Sequence, residues 1–142
     1  LQVRKLGITV PLLGGDGWDS DKLAKIGGAA IEGAYYANHY APDEQRPEVQ
    51  EFIKRFQAEF KGEVPDGMAA TGYDGALILF DAMKRAPALD GKTLAKAIAE
   101  TKDFHGVTGV ISIDQDRNAN KPCVVVQVKG GKTVYVTSFR PK

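Results

Sequence analysis

Apolar residues in the middle of the chain recur every three or four positions, whereas those near its end alternate or run together. The segment "PEVQEFIKRFQAEFKG" places its large apolar residues on one face and ends at Gly62, which predicts an amphipathic helix over residues 48–61. Two further helical patterns follow: "GYDGALILFDAMKRA", after a loop "EVPDGMAAT", and "DGKTLAKAIAETK", after Asp90. The last third contains strand-like runs, "VTGVISID", "PCVVVQV" and "TVYVTSF", separated by polar turns such as "KGGK". The pattern predicts an α/β or α+β fold with helices first and strands last.

The first forty residues predict a strand, a glycine-rich turn and a helix. "LQVRKLG" is typical of the last turn and cap of a helix, which indicates a fragment. "ITVPLL" predicts a buried strand that ends at Gly14, with Pro11 at an edge or irregularity. Asp19 and Ser20 both suit the N-cap of a short helix "DKLAKI". An aromatic strand then leads into a proline-bounded loop at residues 41–47, the best candidate for a crossover or linker.

The turn "GGDGW" is the candidate ligand site. In open α/β sheets ligands bind at the carboxyl ends of strands, which is where Asp16 and Trp18 fall. Gly15 and Gly17 let a ligand approach the main chain closely. Asp16 is then either a turn-stabilising acid or a ligand contact, and Trp18 either borders a cleft or packs beneath the helix. The residues alone leave both alternatives open.

Composition and charge narrow the class of partner. The 142 residues correspond to about one ordinary domain. The 19 basic and 18 acidic residues leave a net charge of +1, so no broad positive field indicates nucleic acid or an anionic membrane surface. No stretch approaches the ~20 apolar residues of a membrane span. Cys123 is the single cysteine, cannot form an internal disulfide, and lies in an apolar run, which predicts a buried small side chain.

Several motifs fail on spacing. "GGKT" at 130–133 lacks the earlier glycine of a phosphate loop, because Val126 stands at that position. "DQDRNA", from Asp114, lacks the turn glycine and the bidentate acid of a calcium loop. His39 and His105 have no partners at ligand spacing, so we expect neither a metal site nor a cofactor. A nucleophile, base and orienting group cannot be assembled either, and catalysis therefore has little support.

Three stretches, "VPLLGGDGWDSDKL", "GYDGALILFDAMKRA" and "TKDFHGVTGVISIDQDRNANKPCVVVQVKGGKTVYV", resemble the C-terminal part of the periplasmic binding proteins that serve branched-chain amino acid ABC transporters. The resemblance covers essentially the whole chain, and its most specific part is the "F-x-G-V-T-G-x-I-S-x-D" run. It implies a type I periplasmic binding fold, in which two doubly wound α/β lobes joined by three crossings close on an amino acid. It also implies that an N-terminal half is missing, that residues 1–40 and 122–142 belong to the C-terminal lobe, and that residues 41–121 belong to the N-terminal lobe.

The same resemblance implies roles for individual residues. Asp16 matches the acid that pairs with the α-ammonium group of the ligand, with Gly15 beside it leaving room and Trp18 as a possible wall of the cleft. The serine and threonine contacts to the ligand carboxylate come mainly from the absent half. Tyr73 and Asp74, at the start of the second predicted helix, are expected to pack near the hinge between lobes or to cap that helix.

The function implied is that of a non-catalytic solute-binding component of an amino acid ABC transporter. Its expected partners are an amino acid, the transporter permease, and either the N-terminal remainder of the protein or a second copy of this chain. The expected location is the periplasm, reached by means of an N-terminal signal outside this sequence. Two alternatives stay open: a ligand-sensing regulatory domain of the same fold, and an enzyme that uses Asp16 or His105.

Overall fold

The computed structural model describes residues 1–140, except for the side chain of Asp21. This part of the chain forms an α/β fold of five helices and seven strands, in which helices and strands alternate at first, three helices then follow one another, and five strands come last. In chain order they are α1 (Gln2–Lys5), β1 (Leu13–Gly14), α2 (Asp21–Gly27), β2 (Tyr35–Asn38), α3 (Pro47–Glu59), α4 (Gly67–Arg85), α5 (Gly91–Ala99), β3 (Phe104–Gly106), β4 (Gly109–Ile113), β5 (Ala119–Asn120), β6 (Cys123–Lys129) and β7 (Lys132–Phe139). Short 3₁₀ turns occupy Asp16–Trp18 and Gly28–Ile31.

The larger sheet joins the two ends of the chain. Its strand order is β1-β2-β6-β7, with β1 parallel to β2 and the other neighbours antiparallel. Alternate residues of β6 point into the core, where Val124, Val126 and Val128 are buried beside Tyr36. The predicted turn between the last two strands is confirmed, and both of its glycines have positive φ.

The smaller sheet, β3-β4-β5, carries residues from the later part of the chain and lies against α4. The amphipathic helix predicted over residues 48–61 is confirmed as α3. Val49, Phe52 and Ile53 are buried on one side of α3, in a core that also includes Tyr40. The helix ends at Glu59, and Phe60, the last apolar residue of the face predicted from the sequence, is exposed.

The buried strand predicted for "ITVPLL" is wrong in most of its length. Only Leu13–Gly14 pair as strand, and Ile8 and Val10 are exposed. The guanidinium of Arg4 explains the difference, because its Nη1 donates to the carbonyl oxygens of Ile8 and Val10 at 2.6 and 2.9 Å. A side chain therefore satisfies the carbonyls that a neighbouring strand would otherwise pair.

The second predicted helix begins earlier than expected. Asp66 is the N-cap and accepts a hydrogen bond from the backbone N–H of Ala69 at 2.8 Å, so α4 includes most of the segment predicted as a loop. Tyr73 and Asp74 consequently lie inside the helix, and the prediction that they stand at its start is wrong. Tyr73 packs on Phe52, with ring centroids 4.9 Å apart.

Cys123 is exposed, so the expectation that it is buried is wrong. The reason is strand alternation: the buried positions of β6 are even-numbered, and Cys123 lies on the other face at the first residue of the strand. Within residues 1–140, no helix is long and apolar enough to cross a lipid bilayer.

Candidate functional site

A cavity of about 320 Å³ lies beside the glycine-rich turn. Three segments line it, namely Gly15 and Asp16, Ala37 to His39, and Lys121 to Cys123. Because β1 and β2 are parallel, their carboxyl ends meet at one edge of the sheet, and the antiparallel β6 begins at that same edge. Residues distant in sequence are thereby brought together at the place where α/β sheets bind ligands.

Asp16 presents its carboxylate at the rim of this cavity. It is the first residue of a 3₁₀ turn, and its side chain is 54% exposed. One oxygen, Oδ2, lies 3.2 Å from Nε2 of His39, whose side chain is 30% exposed. The carboxylate thus has one side-chain neighbour and keeps further acceptor capacity towards the cavity.

His39 connects Asp16 to a cation. Its other ring nitrogen, Nδ1, lies 3.2 Å from Nζ of Lys121. An ammonium group only donates hydrogen bonds, so we assign Nδ1 as the acceptor and place the ring proton on Nε2, which donates to Asp16. The result is a chain of carboxylate, imidazole and ammonium along the wall of the cavity.

Lys121 is half-buried. Burial lowers the pKa of its ammonium group, and the nearby Asp74 and Cys123 oppose that shift only in part. The charged form of Lys121 is therefore less well solvated than an ordinary surface lysine.

Asn38 adds an unpaired donor. The residue is 2% exposed, and its Oδ1 accepts a hydrogen bond from the backbone N–H of His39 at 2.7 Å. Within the described part of the chain, its Nδ2 has no hydrogen-bond partner. A buried amide that lacks a partner costs free energy, and such groups are usually satisfied by water or a ligand.

Asp19 ties the site to α4. Its Oδ2 accepts a hydrogen bond from the backbone N–H of Gly67 at 2.5 Å, at the first residue of that helix. Gly67 allows this approach, because a Cβ there would lie 2.6 Å from Oδ1 of Asn38 and 3.0 Å from Oδ2 of Asp19. The glycine-rich turn is therefore anchored to α4, whose Ala70 packs in the core that includes Tyr40 and Phe52.

Trp18 does not line the cavity that contains Gly15 and Asp16. Its ring covers Gly14, where a Cβ would lie 2.3 Å from the ring, and it tilts against Tyr36 at a centroid distance of 6.4 Å. Its other side faces a separate groove of about 740 Å³ between α1 and α2. Trp18 as a wall of the ligand cleft stays a prediction.

Sequence reasoning missed Asn38, His39, Lys121 and Cys123 as residues of this cavity. A signal existed for the first two, since Asn38 ends β2 and His39 follows it, just as Asp16 follows β1, and the carboxyl ends of parallel strands share an edge. For Lys121 and Cys123 the sequence offers no local signal, because their position depends on the pairing of β2 with β6.

Comparison with known proteins identifies the family. A family profile described as "Periplasmic binding protein" matches residues 1–132. The chain belongs to the periplasmic binding protein family. The "Leu/Ile/Val-binding protein homolog 1" of Brucella suis is 31% identical over 126 residues, which are 88% of this chain and 33% of that protein.

Solved structures of the family share the fold. The leucine-binding protein LivK of Thermotoga maritima superposes with a TM-score of 0.88 at 35% identity, over 99% of this chain and 40% of that one. The branched-chain amino acid transporter substrate-binding protein LivJ of Streptococcus pneumoniae, in complex with isoleucine, superposes with a TM-score of 0.84 at 27% identity, over 99% of this chain and 40% of that one. The resemblance seen in the sequence and the type I periplasmic binding fold are confirmed. The chain spans about a third of the Brucella relative and two fifths of these solved chains.

Proposed function

We propose that this chain is the C-terminal part of the amino acid-binding component of an ABC transporter, and that Asp16 binds the α-ammonium group of the cargo. The observation that carries the proposal is the carboxylate of Asp16, which stands open at a cavity with a histidine as its side-chain neighbour. The relatives are named as leucine-binding, as Leu/Ile/Val-binding, or as a complex with isoleucine, and these names support an amino acid as cargo.

The chemistry suits an ammonium group. A carboxylate accepts several hydrogen bonds, and one to a cation is about twice as strong as one between neutral groups. Gly15 lines the cavity next to Asp16 and carries no side chain to obstruct a ligand. When a cleft closes and excludes water, the lower local dielectric strengthens this ion pair further.

The rest of the cleft would come from an N-terminal part of a longer parent protein. In this proposal residues 1–40 and 122–142 belong to one lobe and residues 41–121 to the other. An exposed apolar stripe on α4, formed by Met68, Leu79, Phe80 and Met83, supports a covering partner. We assign this surface to the N-terminal remainder, and a second copy of this chain is the alternative.

The parent would deliver its cargo to the transporter permease from the periplasm, without catalysis. The runner-up is a ligand-sensing regulatory domain of the same fold, which would require a signalling module attached to the parent. The two roles differ in what depends on the parent. If amino acid transport by a permease requires the parent, the transport role is supported over the regulatory one.

Isothermal titration calorimetry of the parent against a panel of amino acids tests the proposal. We expect binding of at least one apolar amino acid. We also expect that Asp16→Ala weakens binding by at least ~1.5 kcal/mol, because a charge-assisted hydrogen bond is lost. Asp116→Ala, which removes an exposed acid from a turn far along the chain, is the matched control and should leave binding unchanged.

Two outcomes contradict parts of the proposal. A parent that binds no amino acid contradicts the transport role, and an unchanged affinity in Asp16→Ala removes this residue from the site. The 142-residue chain alone should bind amino acids weakly or not at all. A stable monomer by light scattering that binds an amino acid with micromolar affinity would contradict both the fragment proposal and the lobe assignment.

A further inference from the structure

Lys121 is a half-buried cation that lines the cavity beside the glycine-rich turn. Its Nζ contacts an imidazole nitrogen, Nδ1 of His39, at 3.2 Å. Among the described residues, no acid lies within ion-pair distance of Lys121. A half-buried ammonium group has lost part of its hydration. It can donate three hydrogen bonds, and the imidazole of His39 accepts only one of them.

The nearby acid Asp74 does not fill this role. Its Oδ1 and Oδ2 accept hydrogen bonds from the backbone N–H groups of Val107 and Thr108 at 2.7 and 2.8 Å, and the residue is 2% exposed. These bonds hold the carboxylate buried between α4 and the smaller sheet. The negative charge of Asp74 therefore acts on Lys121 only through space, and among the described contacts the two side chains share no hydrogen bond or ion pair.

The cavity thus has opposite charges on one wall. Asp16 stands at one end and Lys121 at the other, and the single imidazole ring of His39 separates them through two contacts of 3.2 Å. An amino acid carries a complementary pair of charges, an ammonium group and a carboxylate. In an amino acid only a few covalent bonds separate the ammonium group from a carboxylate. A ligand whose ammonium group contacts Asp16 would therefore place a carboxylate on the side of the cavity where Lys121 lies.

We propose that Lys121 binds a carboxylate of the same ligand whose ammonium group Asp16 binds. This inference rests on the proposed function and extends it from one ligand group to two. The unpaired Nδ2 of Asn38, buried at the same cavity, is a second donor available to that carboxylate. An added carboxylate would also offset the desolvation of Lys121, because an opposite charge nearby favours the ammonium form.

The carboxylate can be the α-carboxylate or one on the ligand side chain, and two ligand pairs distinguish these sources. Leucine and leucinamide differ only at the α-carboxylate, whereas glutamate and glutamine differ only at the side chain. In one of these two pairs the acid carries the carboxylate that contacts Lys121. In the wild-type parent that acid should bind at least about tenfold more tightly than its amide, as expected for a hydrogen-bonded charge pair.

The experiment measures both affinity ratios by calorimetry in the wild-type parent and in Lys121→Met. We expect one ratio to fall by about tenfold in the variant, while the affinity for the corresponding amide changes little. Lys121→Gln, which keeps a polar side chain, should give the same loss, and Lys121→Arg should retain part of the preference. Lys129→Met is the matched control, because Lys129 is exposed at the far end of β6, the strand that follows Lys121.

Ratios that stay unchanged in Lys121→Met and in Lys121→Gln, while Asp16→Ala still weakens binding, overturn this inference and leave the proposed function intact. A wild-type parent that binds neither acids nor amides contradicts the proposed function, and the role of Lys121 fails with it. A general loss of packing would weaken acids and amides alike, and that result also counts against a carboxylate contact.

Discussion

Asp16 and Asp74 are two aspartates in opposite situations. Asp74 lies in the interior of α4 at 2% exposure, and the backbone N–H groups of Val107 and Thr108 bind both of its oxygens. Asp16 lies at a cavity rim, its side chain is 54% exposed, and a histidine is its side-chain contact. The carboxylate of Asp74 holds α4 against the smaller sheet, whereas the carboxylate of Asp16 is the one that we propose as the ligand contact.

The glycines beside these acids differ in the same way. A Cβ on Gly106 would lie 2.7 Å from Cγ of Asp74, so the absence of a side chain lets the strand close on the carboxylate. A Cβ on Gly15 would meet no described atom within 4 Å, so the absence of a side chain leaves the cavity open. Burial and saturation of hydrogen bonds therefore separate the structural acid Asp74 from Asp16, the proposed ligand contact, which the residue type does not.

Asp74→Ala should give the largest effect. The substitution leaves two buried backbone donors unpaired, and we expect the free energy of unfolding to fall by about 3 kcal/mol. Chemical denaturation of the parent measures the loss. Asp81→Ala is the matched control on α4, because its i,i+4 ion pair with Arg85 is partly exposed and is worth only about 0.5 kcal/mol. Equal losses in the two variants would contradict the structural role of Asp74.

Periodicity predicted the helices well, and local competition explains the errors. The apolar face of α3 follows directly from the spacing of Val49, Phe52 and Ile53. The start of α4 was missed because glycine and threonine in "DGMAAT" favour a loop, although the Asp66 cap is a readable signal. The strand predicted for "ITVPLL" is wrong in most of its length because Arg4 donates hydrogen bonds to carbonyl groups that the pattern assigned to a sheet.

The candidate site was predictable only in part. Gly15 and Asp16 follow from the rule that ligands bind at strand ends, and both line the cavity. His39 lies 23 residues from Asp16, and Lys121 lies 82 residues from His39. Their contacts depend on the register between β2 and β6, and the hydrophobic pattern of each strand alone does not specify it.

Trp18→Ala should have an effect of intermediate size. It tests a residue that follows Asp16 in the glycine-rich turn and also packs on Gly14 and Tyr36. Its ring packs on Gly14 and Tyr36, so we expect the free energy of unfolding to fall by about 2 kcal/mol, less than for a fully buried tryptophan. The affinities of the parent for a large and a small amino acid provide the second measurement. A constant ratio of these affinities indicates a packing role. A changed ratio at unchanged stability would instead support Trp18 as a wall of the ligand cleft, and Trp18→Phe should then restore most of the preference.

The pair Gly106→Ala and Gly15→Ala should give the smallest effects and the sharpest contrast. At Gly106 the added methyl group meets a carboxylate held by two hydrogen bonds, so we expect a loss of about 1.5 kcal/mol in stability with little change in ligand affinity. At Gly15 the backbone φ of −101° suits alanine and the space is open, so stability should stay within about 0.5 kcal/mol. The methyl group there would enter the cavity beside Asp16, however, and should weaken ligand binding several-fold, on the order of 1 kcal/mol. Denaturation and calorimetry on the same two variants therefore decide the comparison. If Gly15→Ala lowers stability and spares binding, the turn is structural and Asp16 belongs with Asp74.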